Sequence, residues 1–180
     1  NVWSRLMGIP TLISTATPSS ATYVTFSSGI DSTYDEYLFV IVNSDPSSEN
    51  ELRIDFYGND WGETVTTTWF EARHNESDSV ATLSYNTGYD AAQAALPTSI
   101  TRNQDNVSST AVSGFVRLFS PSSTTYVKHF MIDTLYKDTG AAANHTFVSG
   151  YINDTNAITG CRFSISGGTI SGTFQLYGIA

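Results

Sequence analysis

Gly167-Gly168-Thr169-Ile170-Ser171-Gly172-Thr173-Phe174-Gln175-Leu176-Tyr177-Gly178-Ile179-Ala180 closes the chain. The glycines and Thr169 make a turn, and Phe174, Leu176 and Tyr177 bracket Gln175 in the pattern of a half-buried strand. Further back, Phe119-Ser120-Pro121-Ser122-Ser123-Thr124-Thr125-Tyr126-Val127-Lys128-His129-Phe130 reads as strand end, Ser/Pro turn and new strand. The last third of the chain therefore leaves almost no room for a helix. The class it predicts is all-β.

Composition agrees. Ser and Thr make up about a quarter of the 180 residues, and there are ten Tyr and ten Phe. Thr, Tyr, Val, Phe and Ile favour strands, whereas Ser, Asn, Gly and Asp favour the turns between them. The alternation places strands at 22–27, 36–43, 51–57, 63–73, 80–85, 112–119, 125–134, 145–153, 158–166 and 173–179. Glu36-Tyr37-Leu38-Phe39-Val40-Ile41-Val42 is almost continuously apolar and belongs in the middle of a sheet, as does 125–134. Leu52, Ile54 and Phe56 alternate with Arg53, Asp55 and Tyr57. The one helical signal is Tyr89-Asp90-Ala91-Ala92-Gln93-Ala94-Ala95-Leu96, stopped by Pro97. Ten short strands predict an antiparallel β-sandwich of the jelly-roll kind, one domain over 19–180.

Residues 1–18 read differently, as an extended N-terminal arm. Trp3, Leu6, Met7, Ile9 and Leu12 are apolar without clean period 2, and Gly8 and Pro10 break regular structure. Such a segment either folds back across its own domain or docks on a neighbouring subunit, because exposing it whole makes a sticky patch. We expect it to be the docking arm, with the sandwich from about Thr22 folding alone.

The charge excludes several classes. The net charge is −9, and the eight Lys and Arg are scattered, so a nucleic-acid partner is not expected. No stretch approaches the roughly 18 apolar residues of a membrane span, and no charged-then-apolar leader opens the chain. The single cysteine, Cys161, shares a strand face with Phe163 and Ile165 and reads as a buried thiol. The chain is expected to be made in a reducing cytoplasm.

Candidate chemistry is sparse. Acidic groups at Asp31, Asp35 and Glu36, at Asp45, Glu49 and Glu51, and at Asn59, Asp60 and Glu63 offer oxygen ligands without the spacing of a calcium loop. His74, His129 and His145 lie far apart, so zinc is unsupported. No nucleophile elbow or phosphate-cradling loop occurs. We therefore expect no catalytic residues, no metal and no cofactor. Four glycosylation patterns, at Asn75, Asn106, Asn144 and Asn153, are expected to be chance matches in a Ser/Thr-rich chain. Tyr57 and Trp61, with Trp69, Tyr85 and Tyr89 nearby, are candidate glycan-facing aromatics, although Trp69 and Phe70 read as core or interface.

Several segments together resemble a family of small virion proteins of tailed bacteriophages of aquatic bacteria. They are Thr25-Phe26-Ser27-Ser28-Gly29-Ile30-Asp31-Ser32-Thr33-Tyr34-Asp35-Glu36-Tyr37-Leu38-Phe39, Trp69-Phe70-Glu71-Ala72-Arg73-His74-Asn75-Glu76, the 121–130 stretch and the Gly172–Ile179 ending. The opening Ser4-Arg5-Leu6-Met7-Gly8-Ile9-Pro10-Thr11-Leu12 is similar to the family's start. The resemblance implies a non-enzymatic virion surface protein. Its first form is a capsid decoration (cement) protein, a homotrimer contacting the major capsid protein or other virion proteins. Its second is a tail-fibre or receptor-binding module that recognises a cell-surface glycan.

Overall fold

The computed structural model describes residues 8–95, 97–107 and 109–180. Thirteen strands run in chain order: β1 (Thr11–Ala16), β2 (Tyr23–Phe26), β3 (Glu36–Pro46), β4 (Leu52–Tyr57), β5 (Val65–Asn75), β6 (Ala81–Tyr85), β7 (Ala91–Ala94), β8 (Thr98–Ser99), β9 (Val112–Phe119), β10 (Lys128–Lys137), β11 (Ala142–Ile152), β12 (Gly160–Ile165) and β13 (Ile170–Ile179). The expected all-β antiparallel sandwich is what forms. Its division is unequal. A nine-stranded sheet runs β1-β13-β3-β9-β10-β11-β5-β6, with β7 also on β5, and a four-stranded sheet runs β2-β12-β4-β8.

Period-2 alternation builds the core between them. In β10, Lys128, Phe130, Ile132, Thr134 and Tyr136 are buried while their neighbours point away. Rings meet across the gap: Phe26 with Phe39 at 5.5 Å, Phe39 with Phe163 at 6.0 Å, and Phe56 with Phe130 at 5.1 Å between centroids. Edge-on and tilted contacts of this kind add to the hydrophobic term. Cys161, Phe163 and Ile165 share the buried face as expected, and burial pushes the Cys161 thiol well up. β3 and β10 are interior strands.

Three expectations need correction. The helix expected over 89–96 does not form among its described residues: Ala91–Ala94 is β7, pairing with β5, and Leu96 lies outside the described residues. Ala91 N–H donates to Thr67 Oγ1 at 2.9 Å, and the Tyr89 ring stacks on Trp69 at 5.1 Å. Two turns of alanine-rich sequence carry too little intrinsic helix stability to resist those contacts. His74, just beyond the strand expected at 63–73, lies within β5 opposite Ala81. Within the segment read as an arm, Thr11–Ala16 forms β1, the edge strand paired with β13; Trp3, Leu6 and Met7 lie outside the described residues.

Lys128 is the one fully buried charged side chain among the largest buried residues, and its Nζ donates to the Asp154 carbonyl at 3.1 Å. Burial pushes its ammonium below the usual lysine range, against the opposing pull of Asp154 and Glu63. A depressed lysine value destabilises the folded state at neutral pH, and the penalty fades as pH rises toward the unfolded value of about 10.4. Lys128→Met is therefore expected to stabilise the protein by about 1 kcal/mol at pH 7. The gain over wild type should shrink by pH 9.5 in urea titrations. A loss of stability at pH 7 would show that the Asp154 contact outweighs desolvation.

Candidate interaction surfaces

The inner face of the large sheet changes character along its strands. Toward one end, β5, β10 and β11 carry buried polar residues, and Ile100, Arg102 and Asp105 bond to them. Arg102 donates through NH1 to Glu71 Oε1 at 2.6 Å and through its backbone N–H to the Tyr136 hydroxyl at 2.9 Å. That hydroxyl lies 3.3 Å from Thr146 Oγ1, and Thr134 donates to the Ile100 carbonyl. Burial pushes the Tyr136 phenol well above its ordinary value, so it stays protonated and serves as a hydrogen-bonding group. Glu71 Oε2 and Gln104 Nε2 are buried without a protein partner. Arg102 is the member of this cluster that reaches the surface, with 29% of its side chain exposed. Nothing in local sequence announces the cluster, since the Glu71–Arg102 and Arg102–Tyr136 contacts span 31 and 34 positions.

The acidic clusters close turns. Glu63 Oε1 accepts from the N–H groups of Gly58 and Asn59, both at 3.1 Å. Asp31 accepts from Thr33 N–H at 2.8 Å and from the Tyr37 hydroxyl at 3.1 Å. Among the described residues, no group of three or more His, Cys, Asp or Glu is placed to hold a metal ion. Asn144 is buried and donates to the Ala142 carbonyl, which closes that glycosylation pattern to modification of the folded chain.

Tyr57 and Trp61 do come together, at 5.2 Å on one hairpin. The other expected rings do not join them: Trp69 is buried, Tyr89 stacks on it, and Tyr85 donates to Asp90 Oδ2. A feature not expected from sequence holds the pair. Arg162 binds Asp55 Oδ2 through Nε at 3.0 Å and NH2 at 2.7 Å. Its guanidinium lies 4.3 Å from the Trp61 ring centroid and 4.8 Å from that of Tyr23. Both rings attract the cation, so one face of Trp61 is already engaged.

The largest open surface is the outer face of the nine-stranded sheet. Strand register aligns its side chains in rows. One runs Val40, Phe115, Asp133, Phe147, Phe70 and Tyr85 across β3, β9, β10, β11, β5 and β6. A second carries Tyr177, Leu38, Arg117 and Met131; a third carries Leu135, His145, Ala72 and Leu83. Met131 and Leu135 are each 52% exposed and Leu83 is 75% exposed. Phe70 and Phe147 stack at 4.9 Å, and His145 lies 3.9 Å from Phe147. Polar groups on the face have partners: Glu36 pairs with Arg117 at 3.2 Å, and Asp133 shares a hydrogen bond with His145 Nε2 at 2.6 Å. Leu12 continues the second row at the β1 edge, 51% exposed, and Ile9 beyond it is 87% exposed. The signal for this face was present as consecutive apolar residues, which mark a strand apolar on both sides: Leu38 to Val42, Trp69-Phe70, Phe130 to Ile132, and Phe147-Val148.

No protein-family model matches this chain. No curated protein sequence matches it either.

Proposed function

We propose that this protein is a non-enzymatic structural component of a bacteriophage particle, a decoration (cement) protein on the outer surface of the head. The observation that carries the reading is the open outer face of the large sheet, largely apolar on a body of net charge −9. Monomeric proteins rarely leave contiguous apolar patches above a few hundred Å² uncovered, and larger ones mark contact surfaces. The resemblance to phage virion proteins supplies the setting: partners are the major capsid protein or other virion proteins, the chain is made in the host cytoplasm, and a homotrimer suits a local three-fold position. The N-terminal arm, with Trp3, Leu6, Met7, Ile9 and Leu12, adds contacts that multiply across several shell subunits.

The test is immunogold labelling of purified particles. Label over the heads, lost when residues 1–10 ahead of β1 are deleted, is expected. Label confined to the tail overturns the decoration reading and favours the second one, a receptor-binding module. The half-exposed Tyr57–Trp61 pair favours that second reading. A glycan array then decides it: saccharide binding abolished by Trp61→Ala supports it, and silence rejects it.

A further inference from the structure

The outer face of the large sheet calls for an occupant, and three features of it point to the same one. The first is area. Eight strands about 4.8 Å apart and three side-chain rows make a patch of roughly 700 Å², near the about 800 Å² per partner of a stable interface.

The second is charge. The chain carries seventeen Asp and Glu against eight Lys and Arg, so two copies repel one another in most orientations. Among the side chains named in the three rows the one carboxylate is Asp133, hydrogen-bonded to His145 at 2.6 Å; outside the rows, Glu36 pairs with Arg117 and Asp45 stands exposed at the far end of β3. This is the direction from which a second copy approaches with least repulsion.

The third is shape. A twisted antiparallel sheet is the natural complement of another such sheet, stacked about 10 Å away with strands near −30°. Phe115, Met131 and Leu135 stand high enough to interdigitate across such a gap. Stacked about a two-fold axis, the same rows of both copies meet, as an isologous contact requires.

We propose that a second copy of this chain covers this face in solution. The inference rests on the same open face as the decoration reading: a second copy holds it in solution and yields it on the particle. Labelling on the particle decides the setting, and solution mass decides this.

The experiment is sedimentation equilibrium on the purified full chain. Wild type is expected to sediment at twice the chain mass at about 10 μM, consistent with micromolar or tighter association, and three times the mass, a homotrimer, would overturn the face-to-face pairing. Its melting temperature should rise with protein concentration. Met131→Glu with Leu135→Glu should weaken association about a hundredfold by burying unpaired charges. The circular dichroism spectrum should stay that of wild type, because both positions are half-exposed. Tyr126→Glu, exposed and outside the strands, should change nothing. A wild-type chain that stays monomeric, with a concentration-independent melting temperature up to about 100 μM, overturns the proposal. So does a double variant that folds and associates as wild type does.

Discussion

Trp69→Ala is expected to lower stability by about 3–5 kcal/mol, a large fraction of the 5–15 kcal/mol that holds a domain together. Trp69 has no exposed surface and projects from β5 into the gap between the sheets. Its indole N–H donates to the Ser99 carbonyl at 3.1 Å, which ties the large sheet to β8 of the small one. Its ring also supports Tyr89, and through it the 86–91 turn that leads into β7. Truncation would leave a cavity and free that turn. In a protein of this size the loss corresponds to a fall in melting temperature of roughly 6–20 °C. Trp69→Phe keeps most of the apolar area but leaves the Ser99 carbonyl unpaired, so about 1–3 kcal/mol is expected. A melting temperature for the alanine variant within 2 °C or so of wild type would contradict this role for the indole.

Asp138→Ala is expected to cost about 2–4 kcal/mol, because it removes a buried carboxylate that holds the part-buried Arg73 guanidinium and two backbone N–H groups. Asp138 caps the β10–β11 hairpin. Its Oδ2 accepts from Arg73 Nε at 2.7 Å, and its Oδ1 accepts from the N–H groups of Gly140 at 2.9 Å and Ala142 at 3.0 Å. Burial pushes the carboxyl up, but those bonds and the Arg73 charge outweigh it and hold the value below the usual aspartate range. The carboxylate therefore stabilises the fold above the unfolded value of about 3.9, and the contribution is lost as pH falls through the lower folded value. Wild type should lose melting temperature steeply below about pH 4, and the Asp138→Ala variant, already weakened at pH 7, should fall less steeply. Parallel acid slopes for the two proteins would show that Asp138 is not the group being titrated.

The candidate surfaces were legible to different degrees. Tyr57 and Trp61 lie four residues apart, so a hairpin was enough to bring them together. The Arg162 and Asp55 side chains that hold them are 107 residues apart in sequence and meet only because β12 pairs with β4. The wide apolar face is intermediate. Leu38, Val40 and Val42 announced that β3 is apolar on both sides, yet a second apolar side is equally the mark of a strand buried on both faces.

By itself the sequence determined the class and the alternation. Turn residues at Gly167-Gly168 and Ser120-Pro121 ended strands where they stand, and period 2 sorted Leu52, Ile54 and Phe56 from their neighbours, because successive side chains must point to opposite faces of a pleated strand. Tertiary structure alone decided which strands are neighbours. β1 from the start of the chain lies on β13 from its end, a pairing across more than 150 residues that no local pattern encodes. It also decided that Ala91–Ala94 is a strand, since contacts to Thr67 and Trp69 outweigh a weak helical preference. Most consequentially, it decided that nine strands face four. Alternation tells a side chain which face it occupies, but burial depends on what area is laid against that face. The small sheet is too narrow to match the large one, and it covers only one of its sides.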